Sequence, residues 1–378
     1  MTAKSREFQI FAKPVCAACN LKCSYCYYRN RLKRYEGDDI PRMSVEILER
    51  YIIQHIEAST EKEIMFSWHG GEPMMAGIDF YRTVVRIQKK HLPSGRFLMN
   101  GIQTNGTLIT DEWCRFFAKE KFSVGISIDG PGELHDQARR SIGDQPTLKR
   151  VIRGYGLLRN HRIPAEVLCV VSARNVSFPM EVYSFFKQLG TRYITFLPLV
   201  NRDDGTESGV TPESVNPSGF GRFLSEIFDE WVKKDIGNVK VQIFEEAIRP
   251  AFNQEHTLCI FREKCGGVPV IESDGDFYSC DHYVDAEHLI GNISRGSVSA
   301  FLDSKRQRDF GAAKLTSLPG MCINCKVRAM CNGECPRNRF RKTPDGEAGL
   351  NYLCEGYRHF FNHIRPFAEA VRTCHGMM

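Results

Sequence analysis

The chain has 378 residues, of which 42% are hydrophobic and 25% charged, with a formal net charge of +6. That length suits one large domain plus a smaller one. No apolar run approaches the roughly 18 residues of a membrane span, and the mild positive charge is spread along the chain, which argues against a nucleic-acid partner. The N-terminal stretch MTAKSREFQIFAKP has no apolar core followed by a small-residue cleavage site, so a cytoplasmic location is expected. The 15 cysteines are the anomaly. In a reducing compartment, spaced cysteines are more often metal ligands than disulfides. They are also clustered, for only Cys114, Cys169 and Cys374 lie outside the two groups at 16–26 and 259–354.

From the start to about residue 200, short β-rich runs alternate with amphipathic helical patterns. Strands are expected at Phe8–Ala12, Ile64–Trp68, Gly101–Thr104, Ser123–Ile128, Glu166–Val171 and Tyr193–Pro198. Helices are expected at Ser44–Ile56, Asp79–His91, Asp111–Lys119, Thr147–Asn160 and Pro179–Leu189, with Ser44 and Asp111 as N-caps. Such βαβ repetition argues a parallel sheet. About six βα units fall short of an eightfold barrel, so the expectation is a partial (β/α)6 barrel. Residues 201–216 read as a loop or lid, followed by a helix over Gly219–Lys234. Beyond about residue 255, cysteines, glycines and hairpin pieces dominate, with a turn at Asp274-Gly275. That half is expected to bury little apolar surface and to rely on inorganic staples.

The first chemical signal is Cys19-Asn-Leu-Lys-Cys23-Ser-Tyr-Cys26, a C-x3-C-x2-C loop just after the first strand. Three thiolates can hold three irons of a [4Fe–4S] cube, leaving one iron open to a small molecule. The competing reading is a zinc knuckle completed by Cys16 or His69. Cys16 is otherwise a spare thiol. Gly70-Gly71-Glu72-Pro73 follows the second strand, and glycines let a backbone approach closely. Alone it could be a plain turn. The triad resembles the radical S-adenosylmethionine superfamily. That resemblance implies that the open iron chelates S-adenosylmethionine, with Tyr25, Gly71, Ser127, Arg139 and Val200 as cofactor contacts. An arginine suits a carboxylate because its fork bonds bidentately. Gln103 and Asp129 could face the same cavity or serve as buried turn residues.

The second group comprises Cys259, Cys265, Cys280, Cys322, Cys325, Cys331, Cys335 and Cys354. Eight thiolates are the complement for two fully ligated cubes, with a pair of zinc sites as the alternative. The spacing resembles the SPASM auxiliary-cluster domain. It implies one cluster on Cys259, Cys265, Cys280 and Cys335 and another on Cys322, Cys325, Cys331 and Cys354. The expected division is a barrel over residues 1–240 and an auxiliary-cluster domain over 241–378, with three [4Fe–4S] clusters in all. The segments SWHGGEP, IQTNGTL, VGISIDGP, YSCDHYV, CNGECPRNRF and GLNYLCEGY resemble anaerobic sulfatase-maturating enzymes. Those enzymes oxidise a cysteine or serine of a sulfatase precursor to Cα-formylglycine. The resemblance implies an external electron donor such as flavodoxin or ferredoxin, and makes Asp281, after Cys280, the base. A carboxylate there is expected to take up a proton readily. Alternatively Asp281 caps the hairpin, with His282 as the second choice of base. A maturase that cross-links or epimerises a ribosomal peptide would share both cysteine groups. Many of those carry an N-terminal recognition domain, for which the early first strand is expected to leave no room.

Overall fold

The computed structural model describes residues 7–28 and 41–376. Six βα repeats run along the chain. They pair β1 (Phe11–Ala12) with α1 (Val45–Ala58), β2 (Glu63–Trp68) with α2 (Ile78–His91), and β3 (Phe97–Thr104) with α3 (Asp111–Glu120). Then β4 (Phe122–Ser127) precedes α4 (Glu133–Asp136) and α5 (Leu148–Asn160), β5 (Ala165–Val171) precedes α6 (Pro179–Gln188), and β6 (Tyr193–Pro198) precedes α7 (Pro217–Lys234). The fold is α/β, as the βαβ pattern implies. The chain divides into two compact units, each assembled from separate stretches. The first comprises Met1–Ser127, Ala138–Ala165 and Gly266–Gly311, and the second Ile128–Gln137, Glu166–Cys265 and Ala312–Met378. A cut at residue 240 therefore describes the order of motifs and not the compact units.

In the first unit β1, β2, β3 and β4 pair in that order, all parallel. After β7 (Lys240–Val241) and α8 (Gln242–Ile248) of the second unit, the chain returns to this sheet. There β8 (Val270–Ile271) adds to β1 in parallel, and β9 (Asp276–Tyr278) and β10 (Leu289–Asn292) follow antiparallel. The expected hairpin is thus β8–β9, and its turn is tied by Asp274 Oδ1, which accepts from Asp276 N at 3.1 Å. Strand β3 starts four positions earlier than Gly101 because polar Asn100 is buried and satisfied: Trp68 Nε1 and Gln88 Nε2 both donate to its Oδ1 at 3.0 Å. Ser44 caps α1 as expected, accepting from Ile47 N. For α3 the cap is Thr110 and not Asp111. The threonine is extended and accepts from Trp113 N, while Asp111 enters the first turn, where a carboxylate favours the helix N-terminus.

The second unit pairs β5, β6 and β7 in parallel. Its helical core corrects the expectation of little apolar burial after residue 255. Helix α9 (Val298–Leu302) belongs to the first unit, and α10 (Lys305–Thr316) leads into α11 (Gly320–Ile323) and α12 (Arg328–Cys331). The hairpin β11 (Arg341–Lys342) and β12 (Ala348–Leu350) precedes α13 (Cys354–Gly376). Along α13, Tyr357, Phe360, Phe361, Ile364 and Ala368 are all buried, a helical stripe masked in the sequence by the cysteines around it. That stripe packs on α7, where Gly356 lets the helices touch: a Cβ there would lie 2.1 Å from Pro217 O. No described helix is long and apolar enough to cross a membrane.

Candidate active site and cluster ligands

The C-terminal ends of β1–β4 carry the first cysteine loop. Two backbone bonds dock GGEP on it, Gly71 N to Cys16 O and Glu72 N to Ala18 O, both at 2.8 Å. A Cβ at Gly71 would fall 2.1 Å from Ala18 O, so only glycine permits this approach. The close partner of Gly71 is therefore the ligand loop's own backbone. Glu72 locks the next loop. Its Oε1 accepts from Met74 N and Thr104 Oγ1, and its Oε2 from Asn105 N at 2.7 Å. Burial raises the Glu72 carboxyl to about 7. Asn105 Nδ2 in turn reaches Cys19 Sγ at 3.7 Å. Cys16 is not spare: it is buried, and its Sγ lies 2.9 Å from Ser273 Oγ and accepts from Ser273 N.

Among the expected cofactor contacts, Arg139 and Tyr25 meet, with Arg139 Nη1 donating to the phenol oxygen at 2.7 Å. Arg139 is buried, which rules out a merely solvated arginine. Ser127 Oγ accepts from Gln103 Nε2 at 3.2 Å at the ends of β3 and β4. Val200 is buried just after β6, in the second unit. Asp129 Oδ1 accepts from Val170 N, on β5, at 3.1 Å.

Asp281 occupies a tight turn in which Tyr283 N donates to Cys280 O at 3.0 Å. The carboxylate is buried, and the neighbouring His282 is exposed. Lys13 Nζ lies 2.6 Å from Asp281 Oδ1, while Tyr27 and Tyr28 donate to Oδ2 at 2.7 and 2.5 Å. Lys13 also donates to Glu272 Oε1 at 2.9 Å and sits 4.7 Å from the centre of the Tyr28 ring. Burial, with Asp281 beside it, drives the Tyr28 phenol well above its ordinary range, so it stays a donor. Burial pulls the His69 imidazole down to about 4, opposed by Asp281 and helped by Lys13. Its ring stacks on Phe11 at 3.8 Å between centres, a neutral wall to the site. The sequence pointed to Asp281 but not to Lys13, Tyr27, Tyr28 or Glu272. The one local signal was a lysine closing a strand whose neighbours Ile10, Ala12 and Pro14 are apolar.

The thiols fall into three electrostatic neighbourhoods. Burial, then Glu72, and more weakly Cys23 and Cys26, raise Cys19 to about 12. In the second unit, burial leads the rise of Cys354 to about 11, with Cys322 and Cys325 contributing. Burial likewise raises Cys331, with Glu334, Cys354 and Cys322 adding to it. Cys259, raised to about 11 mainly by burial, feels Cys265. Cys335 lies in the same unit and Cys280 in the first. All of these cysteines are free of disulfides. Burial holds such thiols protonated, and bound iron is what makes the thiolate the stable form. The donor set fits iron–sulfur clusters: sulfur ligands alone, in one group of three and eight more. Among the described residues, no three His, Cys, Asp or Glu side chains converge as they would around a single metal ion.

Residues 14–181 match the Radical SAM superfamily, and residues 259–326 match the SPASM iron–sulfur cluster-binding domain. The serine-type anaerobic sulfatase-maturating enzyme of Bacteroides thetaiotaomicron is 40% identical, over 97% of this chain and 92% of that protein. The cysteine-type enzyme of Clostridium perfringens is 30% identical, over 94% of this chain and 96% of that protein. Among solved structures, native anSMEcpe with bound AdoMet and the Cp18Cys peptide superposes with a TM-score of 0.87 at 29% identity, covering 97% of this chain and 99% of that one. The chain belongs to the anaerobic sulfatase-maturating enzymes, within the radical S-adenosylmethionine superfamily.

Proposed function

We propose that this protein oxidises a side chain in a sulfatase precursor to Cα-formylglycine, with serine as the preferred residue. The near full-length kinship to sulfatase-maturating enzymes carries the reaction, and the greater likeness to the serine-type relative, 40% against 30%, carries the preference. Converting CH2OH to CHO removes one hydrogen atom from Cβ, one proton from oxygen and one electron. When bound, S-adenosylmethionine and its cluster supply hydrogen-atom abstraction, and the auxiliary clusters supply a one-electron sink.

The chain's own residues do the rest. Cys19, Cys23 and Cys26 would hold the catalytic cluster, with GGEP bracing their loop. Tyr25, Gly71, Ser127, Arg139 and Val200 would border S-adenosylmethionine. Cys259, Cys265, Cys280 and Cys335, and Cys322, Cys325, Cys331 and Cys354, would supply the auxiliary ligands. Asp281 would take the hydroxyl proton. Its partners Lys13, Tyr27 and Tyr28 leave it an acceptor in fixed orientation, and Asp274, not Asp281, ties the β8–β9 turn. Functionally, residues 1–240 house the radical chemistry and 241–378 the electron outlet. The source of electrons would be a flavodoxin or ferredoxin, and the compartment a reducing cytoplasm, where free thiols persist.

The test is anaerobic incubation of iron-reconstituted protein with S-adenosylmethionine, reductant and a peptide carrying the serine of a sulfatase active-site segment. The expected product has lost two hydrogens and reacts with hydrazines. Formation of 5′-deoxyadenosine with the peptide unchanged would reject the reading, and a faster reaction of the cysteine peptide would reject the serine preference.

A further inference from the structure

Helix α10 carries a buried lysine that forms no ion pair among the described residues. Lys314 is 1% exposed. Its ammonium donates to the carbonyls of Cys259 at 2.8 Å and Ile260 at 2.7 Å. Arg339 adds a second cation in the same region. Its guanidinium donates to the carbonyls of Lys314, Asn332, Gly333 and Glu334. The nearby buried carboxylate, Glu334, is engaged elsewhere, accepting from Asn338 and Asn351 at 3.0 and 2.6 Å. With neutral thiols, the buried Lys314 and the half-buried Arg339 would therefore face one buried carboxylate.

A buried ammonium needs an anion, because desolvation disfavours the charged form strongly. The carbonyl of Cys259 holds the buried Lys314 ammonium against the backbone of one cysteine set. A four-iron cube held by four thiolates is a net anion, and one-electron reduction makes it more so. A fixed positive charge beside it stabilises the reduced form more than the oxidised form.

We propose that Lys314 is a positioning and tuning residue: it supplies the counter-charge for the cluster that the proposed function assigns to Cys259, Cys265, Cys280 and Cys335, and raises that cluster's reduction potential so that it accepts the electron the substrate releases. This inference rests on the proposed function only for the presence of that cluster.

The experiment uses the full chain with Cys19, Cys23 and Cys26 replaced by alanine, so that only auxiliary clusters remain. Lys314→Gln keeps a donor for the carbonyls without the charge, and Lys314→Arg keeps the charge. Iron content and redox titration followed by electron paramagnetic resonance are read in each. In Lys314→Gln, one auxiliary midpoint should move to more negative potential. At the parent's midpoint the reduced-to-oxidised ratio should fall about tenfold, or ~59 mV for a one-electron couple. Lys314→Arg should stay near the parent. Selective loss of one cluster in Lys314→Gln but not in Lys314→Arg also supports the counter-charge. An unmoved midpoint at full iron content, or equal cluster loss in both variants, overturns the proposal. Absence of auxiliary iron in the parent would instead overturn the cluster reading beneath it.

Discussion

Two buried lysines, Lys13 in the first unit and Lys314 in the second, are 0% and 1% exposed, yet they are neutralised differently. Lys13 pairs with Glu272 and Asp281, so the protein itself provides more negative than positive charge around it. One of those carboxylates is Asp281, the proposed acceptor of the substrate's proton. Lys314 donates to two backbone carbonyls and forms no ion pair among the described residues, so the proposal leaves its balance to what the neighbouring thiols hold.

The sharpest break between the regions is removal of the first cysteine triad. Replacing Cys19, Cys23 and Cys26 with alanine should abolish 5′-deoxyadenosine formation and lower bound iron from about twelve to about eight, from three cubes to two. Deoxyadenosine from the triple variant would contradict the assignment.

Next in size is Asp281→Asn, which keeps the shape and removes the acceptor. Deoxyadenosine should still form, while aldehyde yield per intact enzyme falls by roughly two to four orders of magnitude. Iron loss matching the fall in product would point to a structural role, and near-normal aldehyde would pass the question to His282.

Lys13→Met probes the same site from the cation's side. It leaves two buried carboxylates without their ammonium, a change that costs about 3–5 kcal/mol when one partner of a buried pair is removed. Denaturant unfolding should show that loss, with Lys13→Arg recovering much of it. A Lys13→Met variant as stable as the parent would mean that the pair contributes little.

The smallest effect is a pH dependence. Burial lowers His69 to about 4 and His55 to about 3, so folded protein keeps both neutral where unfolded chain, with histidines near 6.5, is protonated. Between those values the unfolded state binds more protons, so stability falls as pH drops from about 6.5 toward 4. Glu72, raised to about 7, acts in the opposite sense between its unfolded value and 7. Chemical denaturation at two pH values, repeated with His55→Gln, measures the imidazole share, and an unchanged pH slope in that variant would rule it out.

These residues also mark where sequence reading stops. The six βα repeats were legible because strand and helix periods differ, and the cysteine sets because their spacing is local. Lys13 was not, since its partners Glu272 and Asp281 are brought to it only when β8 pairs with β1. Lys314 carries no local signal in the sequence, and only tertiary burial makes it unusual. Cys16 counted as surplus because its partner, Ser273, lies on the distant β8–β9 hairpin. Thr110 was passed over for Asp111 because both are good caps and only the backbone angles decide between them.

The most direct test of the central claim labels the hydrogen that is removed. A sulfatase-segment peptide with deuterium on the serine Cβ is incubated anaerobically with the reconstituted protein, S-adenosylmethionine and reductant. The account predicts an aldehyde on the peptide and deuterium in the 5′-deoxyadenosine formed with it. An aldehyde accompanied by unlabelled 5′-deoxyadenosine would contradict it.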